Sequence, residues 1–459
     1  MLLLLGLLFP SCTVDDVTSV SESEELRGQG EKGKHKLGRS NDISNDWIEL
    51  YLELDRYAYG MRPNATARAL AYVSLAAYET AAPAMRDHVS IHRKVNGLQI
   101  DQSNLPKNIH FGLALNEAYS FVLNHFLINL SDDYRQKIED LERDLERELS
   151  RNISSKTINE SKSWGSYVAR QVVDFAKTDE EAEEQILEPQ PVSYVPPTGD
   201  GYWTYSAEPE RALFPYWGSV RTFVISPEET STEEPLSYSE NVNSPYYTQM
   251  NEVLVENNLA KANQGEQLWI AEFWSDDVEG LMLSPPGRQF SIASQLSDHQ
   301  DLDLEETLAL YLKLGFSLND AAVSTWKYKY HYMVMRPSNY IREFIDPDFQ
   351  TNLYRLVYWP NPSFPGYPSG HSCFASAAAG VFIDFFGNSI RFTDRTHQGR
   401  TEFLGQPRTF NSFREMAEEN AFSRIPLGVH VRMDCDEGYR LGYEISDAVN
   451  KFDITRPNS

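Results

Sequence analysis

The chain has 459 residues, 41% of them apolar, enough to bury a large core as one module or two domains and too many for wholesale disorder. Its 41 Lys and Arg against 67 Asp and Glu leave a formal charge of −26, which argues against a nucleic-acid or anionic-membrane partner. Three cysteines, Cys12, Cys373 and Cys435, do not make a disulfide framework.

Met1 to Cys12 is a short apolar run that ends on a small residue and a cysteine, as bacterial lipoprotein signals do, although no Lys or Arg precedes it. It is too short to span a bilayer, so residues 1–12 read as a cleaved export signal with lipid on Cys12. This places the protein in the periplasm or at the outer membrane or cell surface. Residues 13–44 are polar and nearly free of aromatics, the composition of a flexible tether. Two helical halves are expected after it, 45–260 and 261–456.

In the first half Trp47, Leu50, Tyr51 and Leu54 recur at helical spacing, and Pro63 with Asn64 opens a second helix. Helical patterns follow over about 110–128, 131–150 and 159–177. The one over 131–150 is rich in Glu and Arg at i,i+3 and i,i+4 and reads as a solvated outer helix. Residues 178–245 change character, with acidic runs at Asp179–Glu184 and Glu228–Glu234, many prolines, and Tyr202, Trp203, Tyr216 and Trp217. A stretch this long without helical period is expected to wrap the core or serve the site, with the second acidic run an exposed loop. Helical pattern resumes at about 246–259, 262–276 and 303–336, the last opening on an Asp303/Glu306 capping box. Strand-like alternation is rare. The predicted fold is all-α, built as helical bundles, two four-helix bundles with long irregular connections.

Chemistry concentrates in three stretches of the second half. Lys329 is followed, seven residues on, by Arg336-Pro337; two helical turns apart, the cations are expected on one stripe, with Pro337 placing Arg336 near a helix end. Ser369-Gly370-His371 opens a helix of small residues, where the glycine amide and the helix N-terminus favour an anion. Ser423-Arg424 is followed by His430 and then by Asp434, whose carboxylate can reach His430 if the segment is helical. Taken singly, the two cations of the first stretch could be solvated and Ser369 a plain helix cap. Together, three cations, a hydroxyl, a glycine amide and two imidazoles suit a tetrahedral oxyanion.

In this order, the three stretches resemble the superfamily that joins vanadium-dependent haloperoxidases to acid phosphatases of the type 2 phosphatidic acid phosphatase kind. The resemblance is dense from Trp269 to Tyr443 and thin at Pro63–Ala69, which looks like the first core helix of bacterial haloperoxidases. It implies one vanadate per chain, with Lys329, Arg336, Ser369, Gly370 and Arg424 binding oxygens and His371 as acid–base. His430 would bind vanadium, or carry phosphate as a phosphohistidine in the phosphatase alternative. Asp434 would orient His430, and Asp277 would pair with the pocket arginine, with Asp276 an adjacent competitor.

Trp326 and Phe364 match residues on the halide side of haloperoxidase pockets, and the chain is longer than soluble phosphatases of the superfamily. The resemblance therefore implies oxidation of halide by hydrogen peroxide to hypohalous acid, without haem or flavin. Algal bromoperoxidases usually carry histidine where Phe364 stands, so the chain looks fungal or bacterial there. Ser372 follows His371, bacterial members with this overall pattern include iodide-specific enzymes, and with the lipoprotein-like export signal iodide is expected first and bromide next. Cys373 and Cys435 are expected to be free, buried thiols, and the chain a monomer.

Overall fold

The computed structural model describes residues 37–38, 40–276, 278–353 and 361–457. The export signal, Cys12, most of the tether and Asp277 lie outside the described residues.

The helices of the first half up to Lys177, the long helix after Asp303 and the one after Ser369 form where apolar spacing and caps lead one to expect them. Helix α1 (Asp42–Asp55) buries Trp47, Ile48, Tyr51 and Leu54, and α2 (Asn64–Ala81) is buried on every side. Helices α3 (Phe111–Phe126) and α5 (Ser155–Lys177) pack with α2, while α4 (Asp132–Leu149) buries only Ile138, as a solvated outer helix should. Helix α10 (Leu304–Tyr332), opened by the Asp303/Glu306 capping box, is the buried axis of the molecule. At about 1.5 Å per residue it runs roughly 44 Å. It packs on α2 at one side and at the other on α12 (Gly370–Phe386) and α15 (Arg432–Lys451), with α13 (Phe413–Phe422) behind them.

One apolar core runs through both helical groups, from Ile43 to Ile454. Between them α7 (Pro245–Asn263), α8 (Glu266–Phe273), α9 (Pro285–His299), α11 (Pro337–Phe344) and the short α14 (Arg424–Leu427) surround the site. A second cluster, with Tyr246, Val253, Tyr340, Ile425 and Val431, backs the segment that carries His430. The one ladder among the described residues is short and antiparallel, β1 (Phe392–Asp394) with β2 (Arg408–Phe410), Phe392 opposite Phe410. No helix among the described residues is long and apolar enough to cross a membrane.

The closest helix crossings are made by glycine. A Cβ on Gly442 would lie 2.3 Å from the Cys373 carbonyl oxygen, and one on Gly438 would lie 2.3 Å from that of Ser369. Only a residue without a side chain lets α15 approach α12 this closely.

Three expectations are corrected. The acidic run after Asp179 is helical, α6 (Glu180–Leu187), because Glu180, Glu181 and Glu183 sit in its first turn, where carboxylates favour a helix N-terminus. The pattern over 262–276 stops at Phe273, and residues 274–276 turn away with Asp276 at φ +45°. Helix α10 ends at Tyr332 rather than 336, because Met333 takes φ +52° and its amide closes back on the Lys329 carbonyl. The irregular 188–244 stretch does wrap the core: the buried Asp320 carboxylate accepts the amides of Phe223, Val224 and Ile225 at 2.8, 2.8 and 3.0 Å. The glutamates of the second acidic run are exposed, as expected, though Thr230 among them is buried.

Candidate functional site

Lys329 lies in the last turn of α10 and is fully buried. Its ammonium donates to the carbonyls of Pro365, Gly366 and Pro368 at 3.0, 3.0 and 2.5 Å. Burial first, and then the neighbouring Arg336, pull its pKa well below the usual lysine range.

Because α10 stops at Tyr332, Lys329 and Arg336 do not share a helix stripe. Arg336 stands in extended backbone as the cap of α11, and the turn between the helices carries its guanidinium back to Lys329. Both cations meet on Phe364, with Lys329 Nζ 5.2 Å and Arg336 Cζ 4.8 Å from its ring centre. Arg336 also donates to the carbonyls of Phe364 and Val429 at 2.8 and 2.9 Å.

Ser369, Gly370 and His371 begin α12 as their spacing predicts. The Ser369 hydroxyl oxygen accepts the Ser372 amide at 3.3 Å as the helix cap, which leaves its proton available to donate. Gly370 faces Trp326, where an added Cβ would lie 3.3 Å from the indole. His371 is 7% exposed, and its Nε2 lies 3.1 Å from the Ser275 carbonyl.

His430 sits between α14 and α15. Its Nδ1 is 2.9 Å from Asp434 Oδ2 and its Nε2 is 3.2 Å from Arg336 Nη1. The segment 430–433 is not helical throughout; Asp434 reaches back from the first turn of α15, where it also accepts the Val431 amide at 3.3 Å. Burial, then Arg336, Lys329, Arg424 and His371, press His430 well below the usual imidazole range, so the ring is neutral. A proton held on Nδ1 by Asp434 leaves the Nε2 lone pair turned towards the cations. Burial raises the Asp434 carboxyl to about 6, against the opposing pull of Lys329 and Arg336. The Asp434 carbonyl accepts the Ser369 amide at 2.8 Å, locking the start of α15 to the start of α12.

Arg424 opens α14, buried, and donates to the carbonyls of Trp274 and Ser275 at 2.9 and 3.2 Å. The Ser275 carbonyl thus serves both Arg424 and His371. Trp326 and Phe364 pack with ring centres 4.8 Å apart. Asp276, the competitor of Asp277, lies 3.5 Å from Arg288 and 3.8 Å from His397. Cys373 and Cys435 are free and buried.

The three stretches therefore converge, and contacts link Lys329, Arg336, Phe364, Trp326, Gly370, His371, Arg424, His430 and Asp434. The carbonyls of residues 274–275 and 364–368 escape sequence reading, since a carbonyl carries no residue identity. A partial signal exists in Pro365 and Pro368, which lack amide donors and so favour an irregular loop whose carbonyls are available to the lysine. Among the described residues no group of three His, Cys, Asp or Glu side chains is placed to hold a metal ion directly. Lysine, two arginines, a capped hydroxyl and a helix N-terminus fit a metal presented as an oxyanion, or a phosphate.

Residues 309–455 match the family model of the VCPO second helical-bundle domain. A vanadium chloroperoxidase of Curvularia inaequalis is 24% identical over 213 residues, a match that spans 35% of this chain and 35% of that protein. A solved structure titled as the first bacterial vanadium-dependent iodoperoxidase superposes with a TM-score of 0.80 at 24% identity, over 93% of this chain and 100% of that one. A holo-type bacterial vanadium-dependent chloroperoxidase does so with a TM-score of 0.65 at 16% identity, over 86% and 92%. The helical fold is shared with these two solved structures.

Proposed function

We propose that this chain is a vanadium-dependent haloperoxidase that oxidises halide with hydrogen peroxide, iodide ahead of bromide, using one vanadate. The observation that carries the reading is His430: a buried neutral imidazole, its Nδ1 held by Asp434, its Nε2 turned into a shell of cations. A protonated, solvated histidine could not be a ligand; this one is prepared as one.

The residues that would hold vanadate are Arg336 and Arg424 as cations, the Ser369 hydroxyl, the Gly370 amide and His430 Nε2, with Lys329 adding its charge, since its three N–H groups are taken by carbonyls. Bound there, vanadate supplies a Lewis-acidic centre that activates peroxide without changing oxidation state. The net reaction takes halide, hydrogen peroxide and one proton to hypohalous acid and water. His371 is placed to move that proton: with Nε2–H donated to Ser275, Nδ1 keeps the lone pair that accepts and returns it. The carbonyl cage holds Lys329 Nζ at a fixed point, where its charge stabilises negative charge that shifts during oxygen transfer. Trp326 and Phe364 supply an apolar wall against which a large, weakly hydrated halide is favoured. That wall, phenylalanine in place of histidine, and the iodoperoxidase likeness support iodide first. Export with lipid on Cys12 and a monomeric state belong to the same proposal; intact mass of the mature protein and its sedimentation test them.

The deciding experiment loads the purified chain with vanadate and assays peroxide with iodide, bromide and chloride, beside a phosphomonoester assay of the unloaded protein. Iodide oxidation that requires vanadate is expected, and His430→Ala should lose both vanadium and activity. Full vanadium content and activity in His430→Ala would overturn the ligand assignment. Phosphomonoester hydrolysis without halide oxidation would assign the pocket to the phosphatase branch.

A further inference from the structure

Behind the pocket lies a second buried polar cluster that the mechanism does not use. Arg288 of α9 is fully buried, its guanidinium stacked over Phe273 and Trp274 with Cζ 4.3 and 4.7 Å from their ring centres. Its Nε donates to Asp394 Oδ2 at 3.0 Å, its Nη1 lies 3.5 Å from Asp276, and His397 Nε2 sits against the same nitrogen. Asp394 ends β1 and His397 follows it, and both are buried. The Asp394 carboxylate is itself fixed, its Oδ1 accepting the Thr396 amide and hydroxyl at 2.8 and 2.6 Å.

A second clamp comes from the other arm of the hairpin. Arg408 of β2 donates to both carboxylate oxygens of Glu419 at 2.7 and 2.5 Å, and Glu419 accepts the Trp274 indole at 2.8 Å. Directly through His397, whose Nε2 lies 3.2 Å from the Phe273 carbonyl, and through Arg288 of α9 and Glu419 of α13, the excursion 392–410 thus grips residues 273–276 from two sides. Within that stretch the carbonyls of Trp274 and Ser275 hold Arg424 and His371. The grip fixes a turn at Asp276, φ +45°, a left-handed conformation that aspartate adopts more readily than most residues.

We propose that the β1–β2 excursion, clamped to Glu419 of α13, is the positioning element of the active site, with Asp394, His397 and Glu419 as positioning residues that set Arg424 and His371 through the Trp274–Ser275 carbonyls. The proposal rests on the oxyanion-site reading above. A merely structural role accounts poorly for the cluster, since buried ion pairs seldom add stability over apolar packing of the same volume.

The test makes Asp394→Asn, His397→Gln and Glu419→Gln in the full chain, none of which touches the pocket. Three quantities are measured: affinity of unloaded protein for inorganic phosphate and vanadate by calorimetry, kcat and KM for iodide with their pH profiles after loading, and Tm. The expected result is a loss of about 10- to 100-fold in oxyanion affinity or kcat, the range for groups that orient ligands. The pH profile should move, KM for iodide should change less than kcat, and the losses should persist at temperatures where the variant is fully folded. Folded variants with wild-type oxyanion affinity, kcat and pH profile would overturn the proposal. If Asp394→Asn does not fold, His397→Gln and Glu419→Gln decide by the same readouts. Wild-type protein that binds neither phosphate nor vanadate would instead sink the oxyanion site, and this inference with it.

Discussion

Asp434 works against the fold and for the pocket. Its carboxyl is raised from 3.8 to about 6 by burial, so the folded chain binds its proton more tightly than the unfolded chain does. That contribution to stability is fully present below pH 3.8 and is lost as pH rises through about 6, so at neutral pH the carboxylate costs stability. Asp434→Asn should therefore keep or raise Tm at pH 7.5 while weakening vanadate binding about 10- to 100-fold, a pair of shifts that calorimetry reads together. In the wild type, oxyanion affinity should fall as pH drops through about 6, when the carboxyl stops accepting the His430 proton; a titration without that limb would place the pH control elsewhere. Phe364→His removes a ring contacted by two cations, worth about 0.5–2 kcal/mol, and adds a donor to the apolar wall. The ratio of bromide to iodide turnover should rise with little change in Tm; an unchanged ratio with a large Tm loss would assign the ring to packing alone. Burial pushes the Cys373 and Cys435 thiols well up, Cys373 to about 12, so neither offers thiolate to an oxidant. Thiol titration should find these two silent in native protein and reactive after denaturation without reductant.

The helix pair α12–α15 decides how far apart the two histidine-bearing segments stand, and glycine decides the pair. Gly442→Ala would drive a methyl to 2.3 Å from the Cys373 carbonyl, a backbone atom that cannot swing away. A loss of about 1–3 kcal/mol is expected by thermal or urea denaturation. Gly438→Ala should add a functional loss, because the atom it meets is the carbonyl of Ser369. A Gly438→Ala variant with weakened folding and untouched vanadate affinity would show that the pocket tolerates a wider crossing. The elements were largely readable because their signals are local: Asp303 with Glu306, Ser369 ahead of a small-residue run, and Trp47 to Leu54 at helical spacing. Tertiary imposition was not readable. Met333 adopts left-handed backbone that no residue-level preference announces, and at Asp276 the tolerance of aspartate for that region is too weak a signal to mark the stop, so the expected ends of α10 and α8 lie too far along. The seven-residue interval between Lys329 and Arg336 was the right clue with the wrong geometry, since a helix break and a turn bring the pair together. Residues 274–275 were missed because they contribute main-chain oxygens.

At the scale of the molecule, one apolar core ties α1 and α2 to the α12–α15 pair, and the pocket lies at the start of both members of that pair. An oxyanion that binds only the folded chain should then stabilise the whole molecule. Vanadate or phosphate at a hundredfold excess over Kd should contribute about 2.7 kcal/mol, seen as a concentration-dependent rise in Tm. The rise should vanish in His430→Ala for vanadate; a Tm indifferent to both anions would mean that the cations do not form a binding site. The chain order of the pocket carries a further consequence. Its donors arrive as Lys329, Arg336, Ser369, Gly370, His371 and Arg424, and only then His430 with Asp434, anchored by the Asp434 carbonyl to the Ser369 amide. The His430 segment is therefore the last to arrive, and α15 must dock before His430 is fixed. If the chain takes up vanadate as proposed, uptake would report on the last step of assembly, an inspection passed only by molecules whose final long helix has found its place.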